Sequence, residues 1–407
     1  MPGIDGRGSA TAGAIGGHVA AGWEPVRAAF EDNFANNGEV GAGVAVYHRG
    51  AKVVDLWGGS FDVDDTAPYG EDTLQLVFST TKGVTAIALA ICADRGLIDY
   101  GEPVVRYWPE FAAHGKAEAT VAQLISHQCG LYTVDGAITL AEALDWPTVT
   151  ARLADTAPRW PIGTGHGYHA LTYGWLAGEL VRRVDPSHRS IGTFVQDELS
   201  GPLGLDLWIG LPEEHESRVS PIIPLPPMTD PALIEMVAKF MGPGTPGGDA
   251  LSLNGAFTSE GDFGGSFNSR AVHAAEIPAA NGISNARSLA KLYAATLAPI
   301  DGIELFSAQT REVARTAVTP VGETDNCLIV PTSFGMGFMT PTPFSPFAGP
   351  DSYGHPGAGG SVSFADPSRD IAFSYVMNRM AGGLGGDPRA QLLIDAGVAC
   401  AEASDGR

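Results

Sequence analysis

The strand-forming segments of this chain cluster near its two ends, a layout that leaves few ways to fold. Residues 41–59, GAGVAVYHRGAKVVDLWGG, hold two β-rich runs joined by a turn at Arg49-Gly50, which reads as a hairpin. β character returns late, in SFGMGFMT, GGSVSFAD and DIAFSYVMNRM. Helical patterns fill the space between. From about Thr80 to Arg95, Val84, Ile87, Ala88, Ile91 and Cys92 recur at helical spacing, and Gly96 suits the position after the last turn. Thr120 and Gln123 form a capping box before VAQLISH, and Ser190 is placed to cap GTFVQDEL. LTYGWLAGELVRRV and ARSLAKLYAATL carry helical stripes, and a last helix is expected near RAQLLIDAGVACAEA. These elements predict an α+β fold: an antiparallel β-sheet built from both chain ends and flanked by helices, with a mainly helical lobe inserted.

The expected boundaries are a flexible N-terminal tail over 1–24, a discontinuous α/β lobe over 25–98 and 330–400, and a helical lobe over 99–329. Within the last, 212–282 is rich in proline and glycine and reads as a poorly ordered excursion or a wall of the binding site. Repeats and hydrophobic heptads are absent.

Charge narrows the partners. A formal net charge of −22 disfavours nucleic acid and anionic membrane, which need clustered Lys and Arg. No apolar run approaches the roughly 18 residues of a membrane span, and MPGIDGRGSATAGAIGG has no apolar stretch fit for a signal peptide. Cys92, Cys129, Cys327 and Cys400 are scattered without a Cys-x-x-Cys pair, so buried reduced thiols are expected. The expectation is a soluble cytoplasmic protein, its oligomeric state open, a homodimer included.

The chemistry is expected at LVFSTTKGVTAIALAICADRG, residues 76–96. Ser79 lies where an apolar stretch gives way to a helix start, and Lys82 follows one turn later on the same face. A serine hydroxyl needs a neighbouring base to become a nucleophile, and lysine serves if desolvation lowers its ordinary pKa of about 10.4. The bland alternative, Ser79 as a helix cap and Lys82 as a surface charge, stays open on this tetrad alone. Indeed Ser288-Leu-Ala-Lys291 matches the same pattern, inside a helix that Ser284 or Asn285 would cap.

Two further stretches bear on the choice. Tyr168, in PIGTGHGYHALTYGW, precedes a helix and could relay a proton with Lys82. His355-Pro356-Gly357, in YGHPGAGGSVSFAD, leads into a strand whose backbone could face a substrate, which makes the N–H groups of Ser79 and Ala358 the expected oxyanion hole. His127, His166 and His169 lie close to these motifs, and structural hydrogen bonding is the expected role of each. The ten histidines form no His-x-x-x-His pair with a carboxylate, so no metal is expected, and no Gly-x-Ser-x-Gly elbow marks an α/β-hydrolase.

In the order Ser-x-x-Lys, Tyr, His-x-Gly, the chain resembles the serine β-lactamase and penicillin-binding superfamily, with class C β-lactamases and family VIII carboxylesterases as the nearest likenesses. LISHQCGL (124–131), VVRYWPEF (104–111), GHPGAGGS (354–361) and VMNRM (376–380) add to it, and the likeness runs from about residue 40 to 395. It implies Ser79 as the acylated nucleophile, Lys82 and Tyr168 as the proton-transfer pair, and His355 to Ala358, Gly357 included, as the strand facing the substrate, with no cofactor. Two departures point to the substrate. Class C enzymes have Tyr-x-Asn where this chain has Tyr168-His169-Ala170, and Lys-Thr-Gly where it has His355-Pro356-Gly357. Both weaken recognition of a charged lactam, and an uncharged small-molecule ester of short to medium acyl length needs neither. Trp160 and Phe338 are expected to help the 212–282 segment shape the acyl pocket. A β-lactamase, a D-amino peptidase or acyltransferase, and a non-catalytic scaffold or ligand sensor are the alternatives.

Overall fold

The computed structural model describes residues 15–257, 265–320, 322–343, 345, 347–382, 386–404 and 406. In chain order its strands are β1 (Gly16–Val19), β2 (Gly41–His48), β3 (Ala51–Gly59), β4 (Leu74–Leu76), β5 (Leu207–Trp208), β6 (Val219–Ser220), β7 (Ile283–Ser284), β8 (Tyr353–Pro356), β9 (Val362–Asp366) and β10 (Ile371–Met377). Six of them form an antiparallel sheet in the order β1-β3-β2-β10-β9-β8. The hairpin turn is Arg49 (φ 51) and Gly50 (φ 74), both left-handed, as a two-residue type I′ turn requires. β10 then slots against β2, pairing Ile371 with His48 and Met377 with Ala42, so the two chain ends are stitched into one sheet.

Every residue of β2 is buried, and the alternation of its side chains feeds two cores. Val44 and Val46 pack with Val26 and Phe30 of helix α1 (Glu24–Asn36) and with Leu393 of the terminal helix Pro388–Ser404. Ala45 and Tyr47 face the other side, where Ala286–Leu297 lies across β2, β9 and β10. Each fully buried Val, Leu, Ile or Phe in such a layer contributes on the order of 1.5–3 kcal/mol. The antiparallel sheet between helical layers is the α+β architecture expected.

A smaller sheet, ordered β5-β7-β4-β6, ties the long excursion between the chain ends to the segment that precedes Ser79. β4 pairs parallel with β6 and antiparallel with β7, and just beyond it the Val77 N–H donates to Gly282 O at 2.9 Å.

Two expectations need correcting. The flexible tail does not extend to residue 24: Gly16–Val19 pairs with β3, Gly16 opposite Trp57 and Val19 opposite Val54. Gly17 takes φ 101 against the carbonyl of Asp55, a close approach that a side chain would block. Residues 1–14 lie outside the described residues. The 212–282 stretch is also more regular than its composition suggests, because Asp230 and Thr245 cap helices at Pro231–Met241 and Pro246–Ser252. Residues 258–264 of that stretch lie outside the described residues. Among those described, no helix is long and apolar enough to cross a membrane.

Candidate active site

A bend between β4 and the next helix presents the serine. Phe78 sits at φ 45, uncommon for a residue with a side chain, and opens a single 3₁₀ turn, Phe78–Thr80, before helix α2 (Thr81–Asp94). The strain is held from both sides. The Phe78 ring packs edge-on against Phe267 at 5.1 Å, and the Thr81 hydroxyl donates to Phe78 O while accepting the Gly282 N–H. Ser79 therefore stands partly accessible at the positive end of a four-turn helix.

Lys82, one turn on, is wholly buried, and its Nζ lies 3.0 Å from Ser79 Oγ, 2.6 Å from Ala170 O and 2.9 Å from Ala279 O. Burial drives its pKa well below the lysine range, and among the described residues no ion pair offsets it. A neutral amine has two N–H groups and one lone pair. The two carbonyls accept the N–H groups, which leaves the lone pair facing the Ser79 hydroxyl, the arrangement a base needs.

Tyr168 completes the cluster. Lys82 Nζ lies 4.7 Å from its ring centroid, and the Ser79 side chain is near enough to act on the phenol's proton affinity. Burial pushes the phenol pKa upward, the Ser79 side chain pulls it back in part, and the charge of Asp325 adds to the rise. Tyr168 is thus a phenol near neutral pH, able to donate or relay a proton but not to act as a standing phenolate. Its backbone is pinned by Asp325, whose Oδ1 accepts the N–H groups of Tyr168 (2.9 Å), Cys327 (2.8 Å) and Leu328 (2.9 Å).

The turn after β8 docks against the same bend. Ser361 donates to Val77 O at 2.8 Å and shares a hydrogen bond with the Thr80 hydroxyl, while Gly357 lies so close to the Val77 carbonyl that a Cβ there would collide. Gly359 (φ 83) and Gly360 (φ 124) make the turn possible. This brings the backbone of Gly357 and Ala358 beside the Ser79 segment. The His355 ring stacks on Tyr168 at 5.8 Å, its Nδ1 is 2.6 Å from Pro356 O, and its buried Nε2 has no partner among the described residues. Burial lowers its pKa to about 3, so the ring is neutral.

His127, His166 and His169 are each held by hydrogen bonds within the fold. His169 bonds Gly167 O through Nδ1 (2.6 Å) and accepts the Leu131 N–H at Nε2 (2.8 Å), a fully satisfied neutral ring. His127 Nδ1 accepts the His169 N–H at 3.0 Å, and His166 meets the Thr332 hydroxyl at 2.9 Å, which itself donates to Asp325. Trp160 stacks on Tyr132 at 5.8 Å and bonds Gln128 O, half-buried near Tyr168. Phe338 corrects an expectation: it is sealed in the main core, edge-on to Tyr353 at 5.1 Å, and shapes no acyl pocket. Sequence reasoning missed Asp325 and the aromatic stack of Phe267 with Phe257 (5.4 Å). Among the described residues no cluster of His, Cys, Asp and Glu could hold a metal ion.

The β-lactamase family profile matches residues 26–397. The chain is 36% identical over 364 residues to the esterase/β-lactamase LipL of Mycobacterium tuberculosis, covering 86% of this chain and 80% of LipL. Among solved structures it is similar to a family VIII carboxylesterase (TM-score 0.84, 36% identity, 95% of this chain and 100% of that one). It is similar also to a penicillin-binding protein homologue from Caulobacter crescentus (TM-score 0.82, 38% identity, 95% and 100%). With a serine and a buried lysine on one helix start, a tyrosine ring beside the lysine and a family profile spanning most of its length, the chain belongs to the β-lactamase family of serine hydrolases.

Proposed function

We propose that this protein is a carboxylesterase that cleaves uncharged esters of short to medium acyl chains through an acyl-enzyme on Ser79. Ser79 Oγ attacks the ester carbonyl carbon while its proton passes to Lys82 Nζ, and the carbonyl electron pair moves onto oxygen. The N–H groups of Ser79 and Ala358 receive that oxyanion. Collapse breaks the acyl–oxygen bond, and the alcohol leaves with a proton delivered through Tyr168 from Lys82. Water then attacks the acyl-enzyme, giving its proton to the same pair, and the acid departs. The observation that carries this reading is the buried Lys82 amine, its N–H groups committed to Ala170 and Ala279 and its remaining position on Ser79.

The substrate assignment rests on charge. Where class C enzymes have a lysine, His355 is buried and neutral, and where they have an asparagine, Ala170 offers no amide. An anionic lactam carboxylate finds no cation at either position. The similarity to a family VIII carboxylesterase supports the same choice, and His355 and Gly357 are the residues proposed to line the substrate. LipL's own description as an esterase/β-lactamase keeps lactam hydrolysis as the second reading. Four unpaired, buried cysteines favour a reducing, cytoplasmic setting.

A p-nitrophenyl acyl series and a chromogenic cephalosporin, each offered to wild type and Ser79→Ala, decide between these readings. Ester turnover lost in Ser79→Ala is the expected result. Efficient lactam turnover with negligible ester turnover would reverse the substrate, and full activity in Ser79→Ala would remove the mechanism.

A further inference from the structure

Behind the turn that carries Ala358 lies a buried ionic cluster that the mechanism above does not use. Glu39, Asp387 and Arg389 are each under one-tenth exposed, although Glu39 precedes β2 and the other two open the terminal helix. Arg389 donates from Nη1 to Glu39 Oε1 (2.8 Å), from Nε to Asp387 Oδ2 (3.1 Å) and from Nη2 to the same Oδ2 (2.7 Å). The Tyr375 hydroxyl closes the cluster by donating to Glu39 Oε2. Two carboxylates around one guanidinium orient it firmly, and what remains of it points at backbone. Nη2 also donates to Gly359 O (3.1 Å) and to Arg379 O (2.9 Å).

The backbone beyond that contact forms a relay. Gly359 O and Gly360 N belong to one peptide group, and the Gly360 N–H donates to Gly357 O at 3.2 Å. Gly357 O belongs in turn to the peptide group whose N–H is that of Ala358. A carbonyl that accepts a hydrogen bond polarises the N–H of its own peptide, so bonds in such a chain strengthen one another, by roughly 10–30% each. The Ala381 N–H, also on Gly359 O at 2.9 Å, adds to the pull. Glycine is required along the path, since a Cβ on Gly360 would collide with the Asp387 carboxylate.

We propose that Arg389, held by Glu39 and Asp387, is a positioning residue for ester hydrolysis: it orients and polarises the Ala358 N–H through two hydrogen-bonded peptide groups. The proposal rests on the acyl-enzyme reading, in which that N–H receives the oxyanion. Arg389 touches no reacting atom. Lysine in its place keeps a charge but cannot fork between two carboxylates and two carbonyls at once.

The test compares purified wild type, Arg389→Lys, Glu39→Gln and Ser79→Ala as full chains, with folding checked by circular dichroism and a cooperative melt. Two readouts separate positioning from simple destabilisation. The first is the kcat-against-KM split on p-nitrophenyl butyrate. The second is the infrared carbonyl stretch of the acyl-enzyme formed with p-nitrophenyl pivalate, which deacylates slowly. For folded Arg389→Lys the expected result is a kcat lower by about 10- to 100-fold, a KM within about twofold, and a carbonyl stretch moved to higher frequency as the oxyanion hole loosens. Glu39→Gln removes one anchor, so the same changes are expected at roughly a third to a tenth of that size. Should Arg389→Lys fail to fold, Glu39→Gln answers alone. Unchanged kcat and stretch in the folded variant overturn the proposal. If Ser79→Ala retains turnover, the acyl-enzyme reading itself falls; if Ser79→Ala is inactive and the cluster variants behave as wild type, only the relay falls.

Discussion

The tetrad Ser-x-x-Lys occurs twice in this chain, at Ser79–Lys82 and at Ser288–Lys291, and the two copies sit in opposite surroundings. In the first, the lysine is buried, has no ion pair among the described residues, and turns its nitrogen back onto the serine. In the second, Lys291 turns away, toward Asp301 Oδ2 (2.7 Å) and Leu203 O (2.7 Å), and remains partly exposed. Ser288 is equally diverted: its N–H is capped by Asn285 and its hydroxyl accepts the Asp206 N–H at 3.0 Å. Spacing of three residues puts both pairs on one helix face. What separates them is where the helix begins. Ser79 lies in the strained turn ahead of α2 and is partly accessible, whereas Ser288 is already within Ala286–Leu297 and buried against its neighbours.

That contrast is most easily broken at the serines. Ser79→Ala is expected to lower kcat on p-nitrophenyl butyrate by about 10⁴-fold or more, because no other group offers the nucleophile. Equal losses in Ser79→Ala and Ser288→Ala, both folded, would abolish the distinction.

The lysines sharpen it through pH. Lys82 acts as a base only when unprotonated, and burial lowers its pKa, so kcat/KM should rise with pH along an acid limb set by Lys82 and level off well below the ordinary lysine range. Tyr168, whose pKa is raised, stays protonated across that range and adds no alkaline limb below the ordinary tyrosine region. Lys82→Met should cost on the order of 10³-fold in kcat/KM and flatten the limb. A profile unchanged in shape would assign the base elsewhere.

Asp325 tests how much of the site depends on groups that never touch substrate. Asp325→Ala strips acceptors from three backbone N–H groups around Tyr168, and should cost about 2–4 kcal/mol of stability and roughly 10-fold in kcat. Denaturant melts and kcat measured together check it. Asp325→Asn, which keeps an acceptor oxygen, should recover most of both.

Asp325 also marks where sequence reading ends. The Ser79–Lys82 pair was legible because its geometry is local, set by one turn of helix, and the sheet was legible because its strands carry long apolar runs with an evident hairpin turn. Tyr168 and His355 needed the order of three motifs to stand out. Asp325 lies 157 residues from the Tyr168 N–H it accepts, in a polar loop with no periodicity to flag it. The acceptors on Lys82 are main-chain carbonyls of two alanines, 88 and 197 residues away, which no side-chain pattern can announce. β1 was invisible for another reason: GGHV has no apolar alternation, and only pairing with β3 makes it a strand.

The smallest effects belong to the second tetrad, and they complete the contrast from its quiet side. Ser288→Ala removes the acceptor for a single buried-side N–H, that of Asp206, so a loss of about 1 kcal/mol in stability is expected, with kcat within twofold of wild type. Lys291→Met breaks a pair whose carboxylate, on Asp301, is largely exposed, and such pairs contribute roughly 0–1 kcal/mol. Because both side chains bond to partners outside the pair, their effects should add within about 0.5 kcal/mol in the double variant. Measured coupling well beyond that would mean that Ser288 and Lys291 interact in solution after all, and would leave helix position an insufficient reason for the difference between the two tetrads.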